Sequence, residues 1–558
     1  MKNLFIILLF IPTLFFAQDN IKGMVMEPSP QGKHLPLAGA NVIWEGTTEG
    51  SITDIEGTFS LKYNSSYSKL IVSYVGYKTR IIEIKNPNEF VHVLLDLTDD
   101  LDEVTVTTRK KTTATSFLSS QNISSISSKE LLKAACCNLS ESFETNPSID
   151  VNITDAISGT KQIKMLGLTS PYILITTENI PSIRGASQTY GLSFIPGTWV
   201  ESIQITKGAG SVVNGFESIA GQINAELVKP TLDNRIFVNA YGSLNGRMEL
   251  NTHFNTKLSD QWSTGLYVHA NNRSQKFDRN NDSFLDMPLS KQLNIMNRWQ
   301  YSNLQKGLIS FLNVRYLTDE KQSGQLDFDP KTDRLSNTLW GSEVTTKRFE
   351  ISSKFGYVNP EIPYQSLGLQ LSYSNHDQIS YFGLNQYDIR HKSIYSNLVY
   401  NSIISDSRHK IKTGLNATYD DYNETVNSEL YDRNERSIGG FFEYSFDNLE
   451  ALNLTAGIRL DHHNLLGTFV TPRVHARYTP WEKSAFRVSF GRGKRAANIF
   501  TENQKLFATS RAINIQNTGG SIYGLEPEIA WNYGVSFLQG FNLFDRKADF
   551  TIDFYRTD

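Results

Sequence analysis

From about residue 233 onward, the sequence alternates apolar and polar residues in segments of roughly ten positions. The segments at 452–461, 367–374 and 548–554 are the clearest, with an apolar or aromatic side chain at every second position. This period gives a β-strand one apolar and one polar face. About fourteen to sixteen such strands, separated by turns or loops, predict a large antiparallel β structure. A soluble β-sandwich and a membrane-spanning barrel would both show this pattern.

The N-terminus favours the barrel. Residues 4–16 form an apolar run after a short basic start, and Ala17 offers a cleavage point. The run has the length of a secretory signal and is too short for a spanning helix, so residues 1–17 are interpreted as a signal peptide. A retained N-terminal anchor is the alternative. No later stretch has the length of a spanning helix, and an exported chain then remains in a membrane only as a barrel.

Composition narrows the classes of function. The net charge of −3 gives no electrostatic reason to expect a nucleic-acid partner. The 32 Phe, 25 Tyr and 7 Trp residues suit the aromatic girdles that a barrel presents to outer-membrane lipid. The sequence contains no zinc-ligand motif of the His-Glu-x-x-His type and no recognisable acid–base pair or nucleophile triad. We therefore expect no enzymatic activity.

Residues 18–98 consist of short strand-like segments separated by turns, which predicts a small β-sandwich. The segments PLAGANV, TDIEGTF and SYVGY resemble the carboxypeptidase-regulatory-like domain, which often precedes the plug in receptors of the Bacteroidetes lineage. Despite its name, that domain implies no peptidase. Asp54 and Glu56 are interpreted as turn residues and not as catalytic carboxylates.

Residues 99–112 combine an acidic stretch, a β-type segment and a basic run. Alternating β-branched residues after a flexible stretch suit a strand that pairs with the sheet edge of a partner, because main-chain hydrogen bonds supply the affinity. The segment LDEVTVT resembles the TonB box, which implies the TonB–ExbB–ExbD complex as a partner. An ordinary linker strand is the alternative. The residues of the box are Asp102, Glu103, Val104, Thr105, Val106 and Thr107.

Residues 113–230 are predicted to form an α+β plug domain. Closely spaced glycines allow the tight turns and close backbone approaches that a plug inside a barrel needs. The segment VESIQITKGAGSVVNGFESIAGQIN, at 200–224, resembles the signature of TonB-dependent receptor plugs in order and spacing. Asn214, Gln222 and Gln204 depart from the usual signature, so the signature alone does not assign a ligand class. The signature residues are Lys207, Gly208, Gly210, Gly215, Gly221 and Asn224.

The fold class expected is therefore mainly β, with an N-terminal β-sandwich, an α+β plug and a transmembrane antiparallel β-barrel at residues 231–558. Barrels of this receptor type resemble a cylinder of roughly 22 strands. The sequence ends without the usual aromatic residue, so the barrel is interpreted as partial and the chain as a fragment or the product of a premature stop; a natural smaller barrel is the alternative. The polar stretches 271–290, 319–344 and 496–524 are expected to form extracellular loops.

The resemblance also implies a function. A receptor of this type lies in the outer membrane and imports a scarce ligand, such as a metal ion or a metal chelate. The energy comes from the proton gradient of the inner membrane, through TonB. The alternative is a surface binding or adhesion protein, or a truncated receptor that does not transport.

Two features are candidate metal sites. The adjacent Cys136 and Cys137 could bind a soft metal ion, form a strained vicinal disulfide, or pack as small apolar side chains on a plug helix. Residues 278–286 place oxygen ligands at spacings similar to those of a calcium loop, although Ser283 replaces the usual glycine. A solvated loop is the alternative. The candidate Ca²⁺ ligands are Asp278, Asn280, Asp282 and Asp286.

Overall fold

The computed structural model contains two compact units, Met1–Lys110 and Lys111–Asp558. The residues it describes are 20–28, 34–47, 49–86, 89–96, 113–133, 138–144, 146, 148–153, 157, 159–448, 451–511, 513–544 and 546–558. Among these residues, no helix is both long enough and apolar enough to cross a membrane. The predicted signal peptide, 1–17, and the TonB-box-like residues 102–107 lie outside the described residues.

The first unit contains two four-stranded sheets. Its strands are β1 (Asn20–Pro28), β2 (His34–Pro36), β3 (Asn41–Trp44), β4 (Gly50–Ile52), β5 (Thr58–Lys62), β6 (Lys69–Ser73), β7 (Arg80–Glu83) and β8 (Val91–Leu94). In one sheet, β1 pairs antiparallel with β2 and β5 and parallel with β8. The other sheet has the order β4-β3-β6-β7. The two sheets form the β-sandwich that the sequence predicts.

The sandwich has an apolar core and tight turns. Trp44 is fully buried beside the rings of Tyr63 and Tyr67. In the turn before β5, the Asp54 carboxylate accepts hydrogen bonds from the backbone N–H of Thr58 at 2.7 Å and from its hydroxyl at 2.6 Å. These hydrogen bonds hold the pKa of Asp54 below its ordinary value. Asp54 is therefore a turn residue, as predicted, and Glu56 is exposed in the same turn.

The second unit begins with the plug. Its elements are β9 (Thr113–Thr115), β10 (Asn122–Ser127), α1 (Ser128–Lys133), β11 (Asp150–Ile153), β12 (Lys161–Met165), β13 (Leu168–Thr169), β14 (Ile173–Thr177), β15 (Ile180–Ile183), β16 (Val200–Lys207) and β17 (Gly221–Leu227). Six strands form one sheet in the order β15-β14-β17-β16-β10-β9, and β11-β12-β13 form a second, smaller sheet. The strand β9 lies at the edge of the larger sheet.

A 16-stranded sheet, which we call the wall, follows the plug. Its strands are β18 (Ile236–Gly242), β19 (Arg247–Lys257), β20 (Trp262–Arg273), β21 (Leu289–Asn303), β22 (Leu308–Gly324), β23 (Gly341–Val358), β24 (Ser366–Phe382), β25 (Asn385–Ile404), β26 (Asp406–Val426), β27 (Glu429–Leu430), β28 (Arg433–Asp447), β29 (Leu452–His463), β30 (Gly467–Tyr478), β31 (Ser484–Arg495), β32 (Glu528–Leu543) and β33 (Arg546–Thr557). Strands that pair in the wall run antiparallel. The mainly β fold class is confirmed.

The wall has apolar side chains on its outer face and charged side chains on its inner face, which is the reverse of the distribution in a soluble protein. On β29, Ile458 and Leu460 are 53% and 54% exposed, whereas Arg459 and Asp461 between and beside them are fully buried. Apolar side chains therefore point away from the molecule, and charged side chains point towards the plug. The plug core is continuous with this inner face, since Tyr267 and Met296 of the wall belong to the apolar cluster of the plug. Such alternation suits a sheet with lipid on its outer face.

Strand connections differ between the two ends of the wall. At one end they are turns such as 258–261 and 304–307, and at the other they include the loops 274–288, 325–340 and 496–527. We call the second end the long-loop end; α2 (Ile499–Glu502) lies in its longest loop. All three polar stretches that the sequence marks as loops lie there. Strands extend into the ends of two of these stretches, 271–290 and 319–344, where the sequence predicts loop.

Candidate functional site

The plug signature forms the turn between β16 and β17. Gly208, Gly210 and Gly215 have positive φ angles of 83°, 70° and 120°, a region that side chains disfavour. Gly221 has an ordinary backbone, but a Cβ there would lie 2.5 Å from the backbone oxygen of Thr206. Glycine is therefore required at the first three positions by the backbone and at the fourth by close packing.

The remaining two signature residues make side-chain contacts. The Lys207 ammonium forms an ion pair with the Asp553 carboxylate on β33, which attaches the plug to the wall. Asn224 is buried, and its amide oxygen accepts hydrogen bonds from the Thr176 hydroxyl at 2.9 Å and from the backbone N–H of Asn179 at 2.7 Å. The signature thus shapes the plug and fixes it to the wall.

Glycines of the wall make room for the signature turn. A Cβ at Gly457 would lie 2.6 Å from the Cγ2 of Val212, and one at Gly491 would lie 2.4 Å from the Cβ of Ala209. Both distances are shorter than van der Waals contact allows. Side chains of the signature turn therefore pack directly against the backbone of β29 and β31.

Buried ion pairs also join plug and wall. Glu178 of the plug pairs with Arg298 of β21, and the Nζ of Lys354 lies 3.6 Å from its carboxylate. Burial opposes ionisation of Glu178, but the two cations hold its pKa below the ordinary value. Arg184 of the plug contacts Asp420 of β26 at 3.0 Å. In these pairs the buried plug charge meets an opposite charge on the wall.

Two adjoining cavities lie between the plug and the long-loop end. The first has a volume of about 400 Å³ and is bounded by the plug and the loop after β31. The second, of about 360 Å³, is bounded by the plug and the strands β18 to β22. Both volumes are typical of small-molecule sites. The plug residues that line both cavities are Thr160, Lys161, Thr189 and Leu192.

Polar groups dominate the lining of the cavities. Lys161 contacts Glu141 at 3.6 Å, and Glu502 and Glu528 of the first cavity form ion pairs with Arg495. Burial raises the pKa of Glu502 above its ordinary value. Uncharged hydrogen-bonding groups in the first cavity are those of Thr160, Gln162, Thr169, Ser170, Tyr172, Gln188, Thr189, Asn503 and Gln504. The lining can therefore hydrogen-bond a polar organic ligand through amides and hydroxyls.

The longest loop, 496–527, packs on both plug and wall. The rings of Phe500 and Phe507 lie 6.2 and 5.1 Å from the ring of Tyr387 on β25. The same apolar cluster includes Tyr190 of the plug. A ligand in the first cavity would therefore contact plug and loop together.

In the predicted calcium loop, the carboxylates accept hydrogen bonds from backbone N–H groups of the same loop. Asp278 accepts hydrogen bonds from the backbone N–H groups of Asp282 at 3.1 Å and Ser283 at 2.9 Å. Asp286 accepts one from the backbone N–H of Arg279 at 3.1 Å. This network explains how the loop 278–286 is ordered by its own side chains.

Asn280 adds one further contact to that loop, since its amide donates to Asp282 at 2.9 Å. Within the described part of the chain, no group of three or more His, Cys, Asp or Glu side chains could hold a metal ion. Calcium binding at 278–286 stays a prediction. Cys136 and Cys137 lie outside the described residues.

A plug packed against an antiparallel wall, beneath ligand-sized cavities, defines the plug-and-barrel class of receptors. Family models match the chain as a CarboxypepD_reg-like domain at residues 21–106, a TonB-dependent Receptor Plug Domain at 117–222 and a TonB dependent receptor-like beta-barrel at 229–558. The last match alone covers more than half of the sequence. The chain belongs to the TonB-dependent receptor family.

Comparison with individual proteins shows local sequence similarity to one receptor and a fold shared with two others. The TonB-dependent receptor SusC of Bacteroides thetaiotaomicron is 36% identical over 92 residues, which are 16% of this chain and 8% of that protein. The structure of Pseudomonas aeruginosa FpvA bound to pyoverdines matches with a TM-score of 0.60 and 13% identity, over 79% of this chain and 63% of that chain. For the alcaligin outer-membrane receptor FauA of Bordetella pertussis the values are 0.59, 12%, 80% and 73%. The two structural matches show the fold, and the chain spans only part of each of these proteins.

Sequence reasoning identified the plug signature but not the residues of the cavities. Lys161, Tyr172, Gln188 and Glu502 come from separate stretches, and none stands in a motif. The only available signal was the polar stretch 496–524, which pointed to the loop that carries Glu502. The plug folds these stretches together, so their proximity cannot be read from spacing.

Proposed function

We propose that this chain is an outer-membrane, TonB-dependent importer that binds its ligand in the two cavities at the long-loop end. The observation that carries the proposal is the position of these cavities, directly above a plug that ion pairs and close packing join to the wall. A ligand bound there contacts the plug through Lys161 and Thr189. Passage of the ligand beyond the plug then requires the plug to rearrange.

The ligand that we propose is a metal chelate. Amide and hydroxyl side chains of the cavities suit the organic part of a chelate, which presents its own donors and acceptors. The structurally similar FpvA was solved with an iron–pyoverdine complex, and FauA is described as the alcaligin receptor. Those names supply the class of ligand, and the polar lining is the support from this chain.

Energy would enter through the TonB box. We propose that residues 102–107 add a strand to a sheet edge of TonB, which the ExbB–ExbD complex energises with the proton gradient. The first described strand after this segment is β9, at the edge of the plug sheet. Tension from the N-terminal side would therefore act first on β9.

The test uses the complete gene in a deletion strain grown under iron, copper or zinc limitation. We expect the intact gene to restore growth and accumulation of one metal, which names the chelated ion. Val106→Pro should abolish accumulation but leave cell-surface binding, because proline removes a main-chain donor from the added strand. Val106→Ala is the matched control and should retain import.

Two results would contradict the proposal. Equal import by the Val106→Pro and Val106→Ala variants would show that the segment does not pair with TonB. Surface binding without accumulation in the intact strain would favour a binding or adhesion protein.

A further inference from the structure

Two arginines oppose each other on the inner face of the wall, near the end with short turns. Arg477 of β30 and Arg487 of β31 are direct partners in the antiparallel ladder. They are 5% and 2% exposed. Like charges at directly opposed positions repel each other, and a buried charge without a counter-ion is costly. Pairing within the sheet alone does not offset the repulsion between these two buried charges.

Backbone carbonyl oxygens of the plug accept hydrogen bonds from these guanidinium groups. The Nη1 of Arg477 donates to the carbonyl oxygen of Phe117 at 2.6 Å. The Nε of Arg487 donates to the carbonyl oxygen of Ser119 at 3.1 Å, and its Nη2 donates to that of Ser116. All three acceptors belong to residues 116–121, the turn between β9 and β10, which we call the plug turn.

Neutral carbonyls are the partners of both cations. Among the described residues, no carboxylate forms an ion pair with Arg477 or Arg487, and the nearby Asp553 is bound to Lys207. The Nε of Arg477 and the Nη1 of Arg487 have no hydrogen-bond partner within the same part of the chain. The two guanidinium groups therefore keep unused donors and lack a negative partner. This is the electrostatic character of an anion site that neutral groups fill incompletely.

The plug turn is placed to leave before the rest of the plug. The strand β9 pairs with β10 over three residue pairs, whereas β10 pairs with β16 over six. Because β9 follows the proposed TonB box, tension applied there detaches β9 before β10. The carbonyls of Ser116, Phe117 and Ser119 then withdraw, and both arginines lose their partners.

We propose that Arg477 and Arg487 form an oxyanion site, covered by the plug turn at rest and occupied by the imported ligand once the turn withdraws. The identity of this occupant rests on the proposed function, and it makes the ligand a chelate that carries a carboxylate or phosphate group. Guanidinium forks bind such groups through parallel, charge-assisted hydrogen bonds. In the resting protein, the three carbonyl oxygens accept the hydrogen bonds that the ligand oxygens would accept.

Competition for one site makes the inference testable without import. If an oxyanion and the plug turn use the same guanidinium groups, each must weaken the binding of the other. We would measure hydrogen–deuterium exchange of residues 113–127 in the detergent-solubilised full chain. The probes are inorganic phosphate and citrate, each against chloride at equal ionic strength. Exchange should rise by about tenfold with a probe at roughly ten times its dissociation constant for the uncovered site.

Substitutions separate the site from general loosening of the plug. In R477Q/R487Q, exchange of the plug turn should be high without any probe and should not respond to phosphate or citrate. R477K/R487K keeps both charges and should keep a weaker response, which also guards against a misfolded double variant. The matched control R436Q/R492Q removes two arginines that do not contact the plug turn and should behave as the parent.

A response to citrate alone assigns a carboxylate-bearing ligand, and a response to phosphate alone assigns a phosphate-bearing one. Absence of any oxyanion response in the parent overturns the inference, as does an equal response in R477Q/R487Q. Either negative result leaves the proposed import function standing, since that function is tested by metal accumulation.

Discussion

The core of the N-terminal sandwich and the interface between plug and wall are both buried, but their chemistry differs. The sandwich core consists of apolar side chains such as Trp44 and Val72. Much of the plug–wall interface consists instead of charged groups, including Arg298 and Arg459, which meet carboxylates and plug carbonyls.

The proposed import mechanism needs a sandwich that stays folded and a plug that can leave the wall, and the two interfaces suit these roles. Exposing an apolar core to water costs free energy in proportion to its area. A buried hydrogen bond contributes little net free energy, because water replaces the lost partner when the groups separate. If the plug leaves the wall during import, as proposed, water can replace the polar part of its interface, whereas opening the sandwich would expose an apolar core.

The largest effect is expected in the sandwich core. Trp44→Ala removes a fully buried indole and should lower the free energy of unfolding of this domain by about 3–5 kcal/mol. Denaturant unfolding followed by hydrogen exchange of residues 20–96 would measure it. Ile55→Ala, at an exposed turn position, is the control and should change little. A similar loss in both variants would show that the core does not dominate.

The next largest effect is expected at a buried plug–wall ion pair. Glu178→Ala leaves Arg298 without its closest carboxylate and should destabilise the plug by about 3 kcal/mol. Because the pKa of Glu178 is lowered, its stabilisation is present above the ordinary pKa and is lost as pH falls towards the folded value.

Glu217 provides the comparison, since its carboxylate lies 3.7 Å from Arg184 and is partly exposed. Glu217→Gln should cost less than about 1 kcal/mol, because solvent screens that pair. Thermal unfolding of the plug, followed by its exchange protection, measures both. An equal loss in the two variants would contradict the importance of burial.

A smaller effect is expected where plug side chains pack directly against wall glycines. Gly491→Ala places a Cβ 2.4 Å from that of Ala209 and should cost about 1–3 kcal/mol through overpacking. Gly440→Ala is a matched wall glycine whose Cβ would meet nothing closer than 3.7 Å. If Gly440→Ala proved as harmful as Gly491→Ala, the close approach would not be the cause.

The smallest effect concerns calcium at the loop 278–286. Asp278 already accepts two backbone N–H groups, so a bound ion would add only modest order to this exposed loop. Calcium should raise the thermal midpoint of the parent slightly and should leave that of Asp278→Asn unchanged. An unchanged thermal midpoint of the parent in calcium would contradict calcium binding at this loop.

The sequence predicted the architecture better than the site. Alternation along β29 and the glycines of the signature turn depend on local backbone geometry, which a sequence records directly. The cavities depend on the packing of segments as distant as Lys161 and Glu502. The opposed pair Arg477 and Arg487 could be suspected only once the register of β30 and β31 was known. Sequence spacing contains neither kind of information.

The most direct test of a separable plug is a reversible lock between plug and wall. The hydroxyls of Ser120 and Thr455 lie 2.8 Å apart, one on the plug turn and one on β29. We would introduce S120C/T455C into a background with Cys136→Ser and Cys137→Ser and measure metal accumulation with and without reductant. If the plug must leave the wall, we expect no accumulation while the disulfide is formed, unchanged surface binding, and recovery on reduction. Full accumulation with the disulfide intact would contradict plug separation.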